Sequence, residues 1–436
     1  MMKRSLQLSS SDSASTRAPG DAEPGEARRV RSLVASGTGL IAVAYGVVRF
    51  GYGLQLPQLS AEFSLSPGLA GAIASGSFAA YCVAALVAQR LIAARGARTA
   101  LWLAAALAAA GALLVALSWS AAALAVGVLV AGGAAGAASP SLVVAVASTA
   151  RGPLVDRAQS VVNAGTGIGV AVTGAAVLAA PQVWRPVWFA AAVAAVLTVA
   201  VVDRSTTWPA PPPERYAGRR GGGRGGPGTP RSSHRTMARP VLAAAVAGLG
   251  SAAVWTFGRD LVTTTGGLPE RTTAALWVLL GAAAVLGAAS GDAVRLLGLR
   301  RSWVLTVTLT AAATAALAVA PGQVALAAVA GAVFGGAYTA LSGVLIAWAG
   351  HLRPDAAGPA TATLFVALTA GQAVGASATG ALAAQVGLPA AFGVCAVVVF
   401  SAALVLPGRT HPSAGRALSP WARSDAGRYA PMTSSS

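Results

Sequence analysis

Twelve long apolar stretches constrain this chain more than any other feature of its sequence. Each is close to the length of about 20 apolar residues that a bilayer-spanning α-helix needs. Only 10% of the 436 residues are charged, whereas a soluble domain carries about 25%. The sequence therefore predicts an all-α integral membrane protein with twelve transmembrane helices, at roughly residues 33–57, 68–93, 98–118, 120–149, 159–181, 186–202, 240–264, 272–294, 301–320, 322–350, 359–385 and 388–407.

The positive charges lie almost entirely on one side of this predicted bundle. Of the 31 Lys and Arg residues, 27 share a side with the N-terminus, whereas Arg185 and Arg271 lie on the other side and Arg49 and Arg259 within spans. Cytoplasmic loops carry an excess of Lys and Arg. We therefore expect a multi-pass protein of the cytoplasmic membrane with both termini in the cytoplasm. The net charge of +18 then follows from topology, so no nucleic-acid partner is expected.

Three polar segments divide the chain. Residues 1–32 are expected to be a disordered cytoplasmic tail, residues 203–239 a flexible Pro- and Gly-rich cytoplasmic linker, and residues 408–436 a second tail. The linker separates a six-span half at 33–202 from a six-span half at 240–407. Cys82 and Cys395 lie far apart in apolar runs, and the three His residues have no partner at metal-ligand spacing. We therefore expect neither a metal site nor a cofactor.

The two halves share a weak internal repeat. Small and polar residues of the fifth span recur in the eleventh, and a Phe-Gly pair in the first recurs in the seventh, at nearly one offset. Several ordered matches at one offset indicate two parallel six-helix halves. The matched sets are Gly165, Gly169, Thr173 and Gly174 with Gly371, Gly375, Thr379 and Gly380, and Phe50-Gly51 with Phe257-Gly258.

This organisation resembles the major facilitator superfamily of secondary transporters over roughly residues 33–407. The run Gly46-Val47-Val48-Arg49-Phe50-Gly51-Tyr52 to Leu56-Pro57 is similar to one in a bacterial subgroup near the cyanate-permease-like members. The resemblance implies alternating access without a nucleotide. The loop motif of that superfamily departs from its usual form, because Ala93 and Arg295 occupy its two acidic positions. Asp292 is the nearest remaining acid and a candidate gating residue.

Arg49 is the most informative single residue. A charged residue deep in a span costs about 2.5–3.5 kcal/mol on insertion scales, so it should face a cavity or a partner. Tyr45, Arg49 and Tyr52 fall on one helical stripe, which Gln55 flanks. Arg49 either binds the anionic group of a substrate, with these neighbours lining the site, or forms a structural ion pair. The residues alone leave both interpretations open.

Asp260 is the leading carboxylate for energy coupling. It follows Arg259 near the end of the seventh span, which is equivalent to the first span in the repeat. Asp260 would pair with Arg49 across the halves, and its protonation would weaken that pair. The alternative is an interfacial cluster of Arg259 and Asp260 at the headgroups. Further polar or aromatic residues within spans are candidates for substrate binding or for interhelical contacts, namely Trp255, Asn163, Gln372, Tyr338, Thr166 and Thr173.

These observations predict a monomeric secondary active transporter that moves a small organic solute, with an anionic, carboxylate-bearing substrate favoured. Its energy source would be a proton gradient or the substrate gradient itself, so its partners would be the solute, membrane lipid and, in the first case, protons. A proton-linked exporter of amphipathic drugs or natural products is the alternative, with Tyr52 and Trp255 as cavity walls. A membrane-embedded lipid-modifying enzyme needs clustered carboxylates or His at the interface. Because the inner-side acids are isolated in sequence, we expect no enzymatic activity; they are Asp156, Asp203, Asp292 and Asp355.

Overall fold

A computed structural model describes residues 24–152, 154–180, 183–209, 231–287 and 290–408. These residues are helical with short connections and contain no strand. Ten of their helices are long and apolar enough to cross a membrane, and the helical segment Leu388–Leu404 is a shorter apolar one. The expectation of an all-α membrane protein is confirmed. Most of the two expected tails and of the linker lies outside the described residues.

The first half begins with a broken span. Helix α1 (Pro24–Ile41) continues through a π-helical segment (Ala42–Arg49) into α2 (Gly51–Leu54) and α3 (Leu56–Phe63). Because α1 starts at Pro24, helix extends into the segment expected to be a tail. The other five spans are α4 (Pro67–Arg95), α5 (Ala97–Ala116), α6 (Ala121–Thr149), α7 (Leu154–Ala179) and α8 (Trp184–Ser205).

The second half follows the same order. Helix α9 (Arg231–Asp260) starts inside the expected linker and ends in a π-helical segment (Leu261–Thr265). The expected eighth span is described in two parts, because α10 (Glu270–Leu286) ends before Gly287 and α11 (Ser290–Leu297) begins after residues 288 and 289, which lie outside the described residues. The rest are α12 (Leu299–Val319), α13 (Val324–Leu352), α14 (Ala357–Val386) and α15 (Leu388–Ser401).

Within the described residues, four helix pairs join the halves: α4 packs on α14, α7 packs on α10, and both α2 and α3 pack on α9. Glycines allow this close approach. A Cβ atom on Gly53 would collide with the Trp255 carbonyl oxygen, and one on Gly71 would collide with the backbone of Ala376. The interface between the halves therefore depends on small residues that leave backbones in contact.

An ion pair connects helices at each end of the bundle. At the end where α8 leads towards α9, which we call the linker face, Arg98 makes two hydrogen bonds to the Asp203 carboxylate, with N–O distances of 2.7 and 2.9 Å. Asp203 also accepts from the indole of Trp208 at 2.8 Å. Asp203 is therefore paired rather than isolated. Arg98 of the altered loop motif thus binds an acid from the end of α8.

At the other end, which we call the opposite face, Glu62 ties α3 to α8. Its carboxylate accepts hydrogen bonds from Arg185 at 2.6 Å and from the Trp184 indole at 2.8 Å. Arg185 also donates to the Ser118 carbonyl oxygen at 2.9 Å. The hydrogen bond from Arg185 holds the pKa of Glu62 below its ordinary value. This cluster joins α3, α8 and the connection between α5 and α6 on the opposite face of the first half.

Replacing Glu62 with Gln should lower the thermal unfolding temperature at neutral pH but not in acid. The folded-state pKa lies below the unfolded value of about 4.3, so the carboxylate stabilises the fold above that value. This contribution disappears as the pH falls through the folded-state pKa. Thermal unfolding in detergent from about pH 7 to about pH 3 measures the difference between the two proteins.

Glu26→Gln is the matched control, because Glu26 contacts Arg151 only at 3.6 Å and at an exposed site. Its effect on the unfolding temperature should be much smaller than that of Glu62→Gln at neutral pH. A difference between wild type and Glu62→Gln that persisted unchanged into acid would contradict the assignment.

Candidate binding site around Arg49

The first span loses regular α-helical geometry where Arg49 lies. Its π-helical segment ends at Arg49, and the chain turns again at Gln55 before α3. Such π-helical segments are frequent at functional sites, because they re-aim side chains out of the regular 3.6-residue period. Arg49 is buried, with 6% of its surface exposed. The irregular first span thus places the guanidinium of Arg49 at the interface between the halves.

Arg49 links the two halves through neutral groups. Its Nη2 atom donates to Oγ1 of Thr369 at 3.1 Å and to Oε1 of Gln372 at 2.8 Å. Both acceptors lie one turn apart on α14, in the second half. Gln372 in turn donates from Nε2 to the hydroxyl oxygen of Tyr338 at 2.9 Å. A chain of hydrogen bonds therefore runs from the first span across to α14 and α13.

The other two nitrogen atoms of Arg49, Nε and Nη1, are buried and have no hydrogen-bond partner. Among the described residues, the ion pairs are Arg98–Asp203, Arg151–Glu26 and Arg185–Glu62, so no carboxylate there neutralises Arg49. A buried charge without a counter-ion is costly. Arg49 therefore forms no structural ion pair with any carboxylate among the described residues.

Aromatic rings partly offset the cost of burying the charge of Arg49. The Cζ atom of Arg49 lies 4.2 Å from the ring centroid of Tyr81 and 5.1 Å from that of Phe78, both on α4. Phe50 and Tyr45 follow at 5.4 and 5.5 Å. Cation–π contacts stabilise a guanidinium by about 0.5–2 kcal/mol each. The rings therefore stabilise the charge of Arg49 without occupying the Nε and Nη1 donors.

A second aromatic group continues from Phe50 into the other half. Trp255 of α9 stacks on Phe50, with ring centroids 4.0 Å apart. It meets the edges of Tyr338 and Phe334 at centroid distances of 5.3 and 5.5 Å. The indole Nε1 of Trp255 is buried and has no partner. We call Arg49 and these rings the central cluster; it comprises Tyr45, Arg49, Phe50, Phe78, Tyr81, Trp255, Phe334 and Tyr338.

The structure brings together Tyr45, Arg49, Trp255, Tyr338 and Gln372 of the candidates chosen from sequence. Others lie elsewhere, as their hydrogen bonds show. Tyr52 donates to the Ala70 carbonyl oxygen, Gln55 accepts from the Trp188 indole, Asn163 is an exposed acceptor from Gln159, and Thr173 donates to Gly169 within its own helix. Asp292 lies in α11, but its side chain is outside the described part of the structure.

Several members of the site were not chosen from sequence. Thr369, three residues before Gln372, and the pair Phe78 and Tyr81 on α4 contact Arg49 directly. Each pair is spaced at one helical turn, which is the signal that could have identified it. Such spacing is common in an apolar bundle, however, so only the packing of α4 and α14 against the first span selects these pairs.

Arg259 forms a second cross-half contact, nearer the opposite face. It is fully buried and donates from Nη1 to the Leu54 carbonyl oxygen at 2.7 Å and to Gln58 Oε1 at 2.8 Å. Its Nε donates to Thr273 Oγ1 at 3.1 Å, and Gln58 donates to the Glu270 carboxylate at 3.3 Å. We call these residues the clasp. It ties the end of the first span to the seventh and eighth spans.

Asp260 lies beside the clasp and is half-buried. In this structure Arg49 contacts Thr369 and Gln372 rather than Asp260. The expected pairing of Arg49 with Asp260 is thus absent from this state. Within the described residues, no group of three or more His, Cys, Asp or Glu side chains converges as a metal site would require.

The helices have the same arrangement as those of two solved transporter structures. A mutant of the nucleoside transporter NupG matches with a TM-score of 0.67 and 10% identity, over 85% of this chain and 98% of that one. A bacterial homologue of the human lysosomal transporter Spinster, in an inward-facing and occupied conformation, matches with a TM-score of 0.64 and 12% identity, over 88% and 97% of the two chains. At such identities these likenesses show the fold alone.

Residues 41–407 match the family model described as uncharacterised MFS-type transporter YbfB. This match covers most of the chain, so the protein belongs to that family of the major facilitator superfamily. The resemblance inferred from sequence is therefore confirmed. No curated protein matches the chain significantly.

Replacing Arg259 with Gln should destabilise the protein by about 1.5–3 kcal/mol, because the clasp loses hydrogen bonds to a charged donor. Arg271→Gln, which removes the same charge from an exposed site on α10, should have little effect. Thermal unfolding of the purified proteins compares the two. Equal unfolding temperatures for Arg259→Gln and Arg271→Gln would contradict the clasp.

Proposed function

We propose that this protein is a secondary active transporter of a small organic anion, which binds at Arg49 in the central cluster. One observation carries the proposal: Arg49 is buried between the halves with two donor atoms free and no carboxylate partner among the described residues. We further propose that it acts as a monomer in the cytoplasmic membrane with the linker face in the cytoplasm, as the distribution of basic residues predicts. No covalent step takes part in transport.

The geometry of guanidinium supports a link between binding and movement. A carboxylate binds Arg most strongly through two parallel hydrogen bonds. Each pair of parallel N–H groups on Arg49 combines Nη2 with one of the free atoms, and Nη2 is already bonded to Thr369 and Gln372. Two-point binding therefore requires the substrate to displace a neutral acceptor on α14. The anion would replace a bond between the halves with a bond to itself.

Alternating access follows from this exchange. Arg49 belongs to the first half and its neutral acceptors to the second, so their separation is part of any rocking of one half against the other. The glycine contacts between α4 and α14 allow such movement without a deep interlocking of side chains. The clasp would open when the opposite face opens.

Asp260 is the residue that we propose for proton coupling. This carboxylate is half-buried and adjoins Arg259, which holds the clasp. Protonation of Asp260 removes a negative charge beside that guanidinium, and deprotonation frees the carboxylate to pair with Arg49 in another state of the cycle. Proton uptake and release would then bias the halves between their arrangements.

Export of amphipathic molecules is the second candidate, and the aromatic part of the central cluster favours it. Trp255, Phe50, Phe334 and Tyr338 form a continuous apolar surface beside Arg49. A cationic amphiphile would nevertheless be repelled by the unneutralised guanidinium. The two candidates therefore predict opposite charge preferences.

Replacing Arg49 with Gln should weaken the binding of carboxylates by roughly 10- to 150-fold, as expected for the loss of charged hydrogen bonds of about 1.5–3 kcal/mol. Ligand-induced thermal stabilisation of the purified protein measures this, with acetate, succinate and benzoate as anionic probes and tetraphenylphosphonium as a cationic one. Arg49→Lys should recover only part of the affinity, because Lys cannot make paired hydrogen bonds.

Arg300→Gln, at an exposed position on α12, is the control for the loss of one positive charge. It should bind the anionic probes as the wild type does. Stabilisation by tetraphenylphosphonium but by none of the carboxylates would overturn the anion proposal and favour the exporter.

Asp260→Asn should abolish uphill, pH-driven flux in proteoliposomes while retaining exchange of substrate across the membrane. The amide cannot take up or release a proton, yet it keeps the shape of the side chain. Flux of a labelled carboxylate, with and without an imposed pH gradient, measures both modes. Full pH-driven accumulation by this variant would exclude Asp260 as the coupling residue.

A further inference from the structure

We infer that the substrate is a carboxylate with a flat, unsaturated body and a second, neutral hydrogen-bond acceptor, which binds the indole N–H of Trp255. This inference rests on the anion site proposed at Arg49 and adds the class of molecule that this site selects. Three features of the central cluster support it: its unpaired donors, the rings around them, and the absence of a carboxylate partner for Arg49 among the described residues.

The unpaired donors of Arg49 and Trp255 are neighbours. Phe50 contacts both, with Arg49 Cζ 5.4 Å from its centroid on one side and the Trp255 ring stacked at 4.0 Å. A hydrogen-bonded path through Gln372 and Tyr338 also connects Arg49 to the ring that meets Trp255. Phe50 is therefore in contact with both side chains that carry the unpaired donors. Buried donors without partners are rare, and each requires an explanation.

The chemistry of the two donors determines which functional groups the ligand carries at its two ends. Guanidinium and indole can only donate hydrogen bonds, so both ends of a bound molecule must accept them. The charged donor suits a carboxylate, whereas the neutral indole suits a carbonyl, ether or hydroxyl oxygen. Among the described residues no carboxylate pairs with Arg49, so a ligand ammonium group would find no counter-charge there. An amino acid is therefore a poor fit.

The aromatic rings determine which shape of ligand fits between its two hydrogen-bonding ends. Phe50 and Phe78 flank the guanidinium, and Phe334 stacks on Tyr338 beside Trp255 at a centroid distance of 5.8 Å. Aromatic rings gain stabilisation from stacked or edge-to-face contacts with another aromatic ring, beyond the area that they bury. The cluster therefore favours a planar molecule over a saturated one of equal size.

Such a ligand would touch both halves at once. Arg49 and Phe50 belong to the first span, whereas Trp255 and Phe334 belong to α9 and α13 of the second half. A molecule with acceptors at both ends therefore bridges the halves and can replace the hydrogen bonds that Arg49 makes to α14. A short anion such as acetate reaches only Arg49 and leaves the indole unpaired.

Two matched pairs of probes test the inference on the purified full-length protein. In the first pair, 4-acetylbenzoate and 4-isopropylbenzoate share a skeleton and differ in the acceptor oxygen. In the second pair, benzoate and cyclohexanecarboxylate differ in flatness. The wild type should prefer 4-acetylbenzoate and benzoate by roughly 3- to 10-fold, the value of one neutral hydrogen bond or one aromatic contact. Calorimetric titration gives the affinities.

Trp255→Phe keeps the ring and removes the donor. It should bring the affinities for 4-acetylbenzoate and 4-isopropylbenzoate close together while benzoate still binds. Phe334→Leu tests the flat wall independently, and it should lower the preference for benzoate over cyclohexanecarboxylate. An unchanged preference for the acetyl compound in Trp255→Phe would overturn the inference, as would the absence of both preferences in the wild type.

The outcomes separate this inference from the proposed function. If carboxylates bind in a manner that depends on Arg49 but show neither preference, the anion transporter stands and the substrate class is wrong. If no carboxylate binds the wild type, or if Arg49→Gln binds each as the wild type does, the anion site itself is wrong and the inference falls with it.

Discussion

The rest of the structure depends on one buried guanidinium that no acid among the described residues neutralises. Arg49 lies between the halves, where its charge is stabilised by the faces of four aromatic rings and by two neutral oxygen atoms. A charge can be buried in this way only if several weak interactions together offset the cost of removing it from water. The π-helical turn of the first span and the approach of α4 and α14 supply those interactions. The same arrangement leaves two donor atoms available.

Two different kinds of contact hold the halves together. Around Arg49 and the clasp the contacts are polar and directional, since each guanidinium donates to oxygen atoms of the other half. Between α4 and α14 the contact is a close approach of backbones at glycines such as Gly71. Directional bonds define distinct arrangements, whereas smooth backbone contacts let helices slide. An interface that combines both kinds is suited to moving between a few defined states.

The first span shows where helical periodicity succeeds and fails. A regular helix places Tyr45, Arg49 and Tyr52 on one stripe, and the structure does place Tyr45 beside Arg49. The π-helical segment and the break at Phe50 then change the phase of the helix. Tyr52 consequently donates to Ala70 of α4, and Gln55 meets the indole of Trp188. A three-residue spacing cannot reveal such a change, because it originates in packing against other spans.

The sequence by itself determined the class of protein, the order of most of its spans and the importance of Arg49. Hydropathy acts over one helix length, and a lone charge in an apolar run is costly wherever the chain folds. Tertiary structure decided what surrounds that charge. Thr369 and Gln372 lie more than three hundred residues from Arg49 in the chain, and the rings of Phe78, Tyr81 and Trp255 come from other spans. Which of many polar and aromatic residues meet is a property of helix packing, which no local pattern encodes.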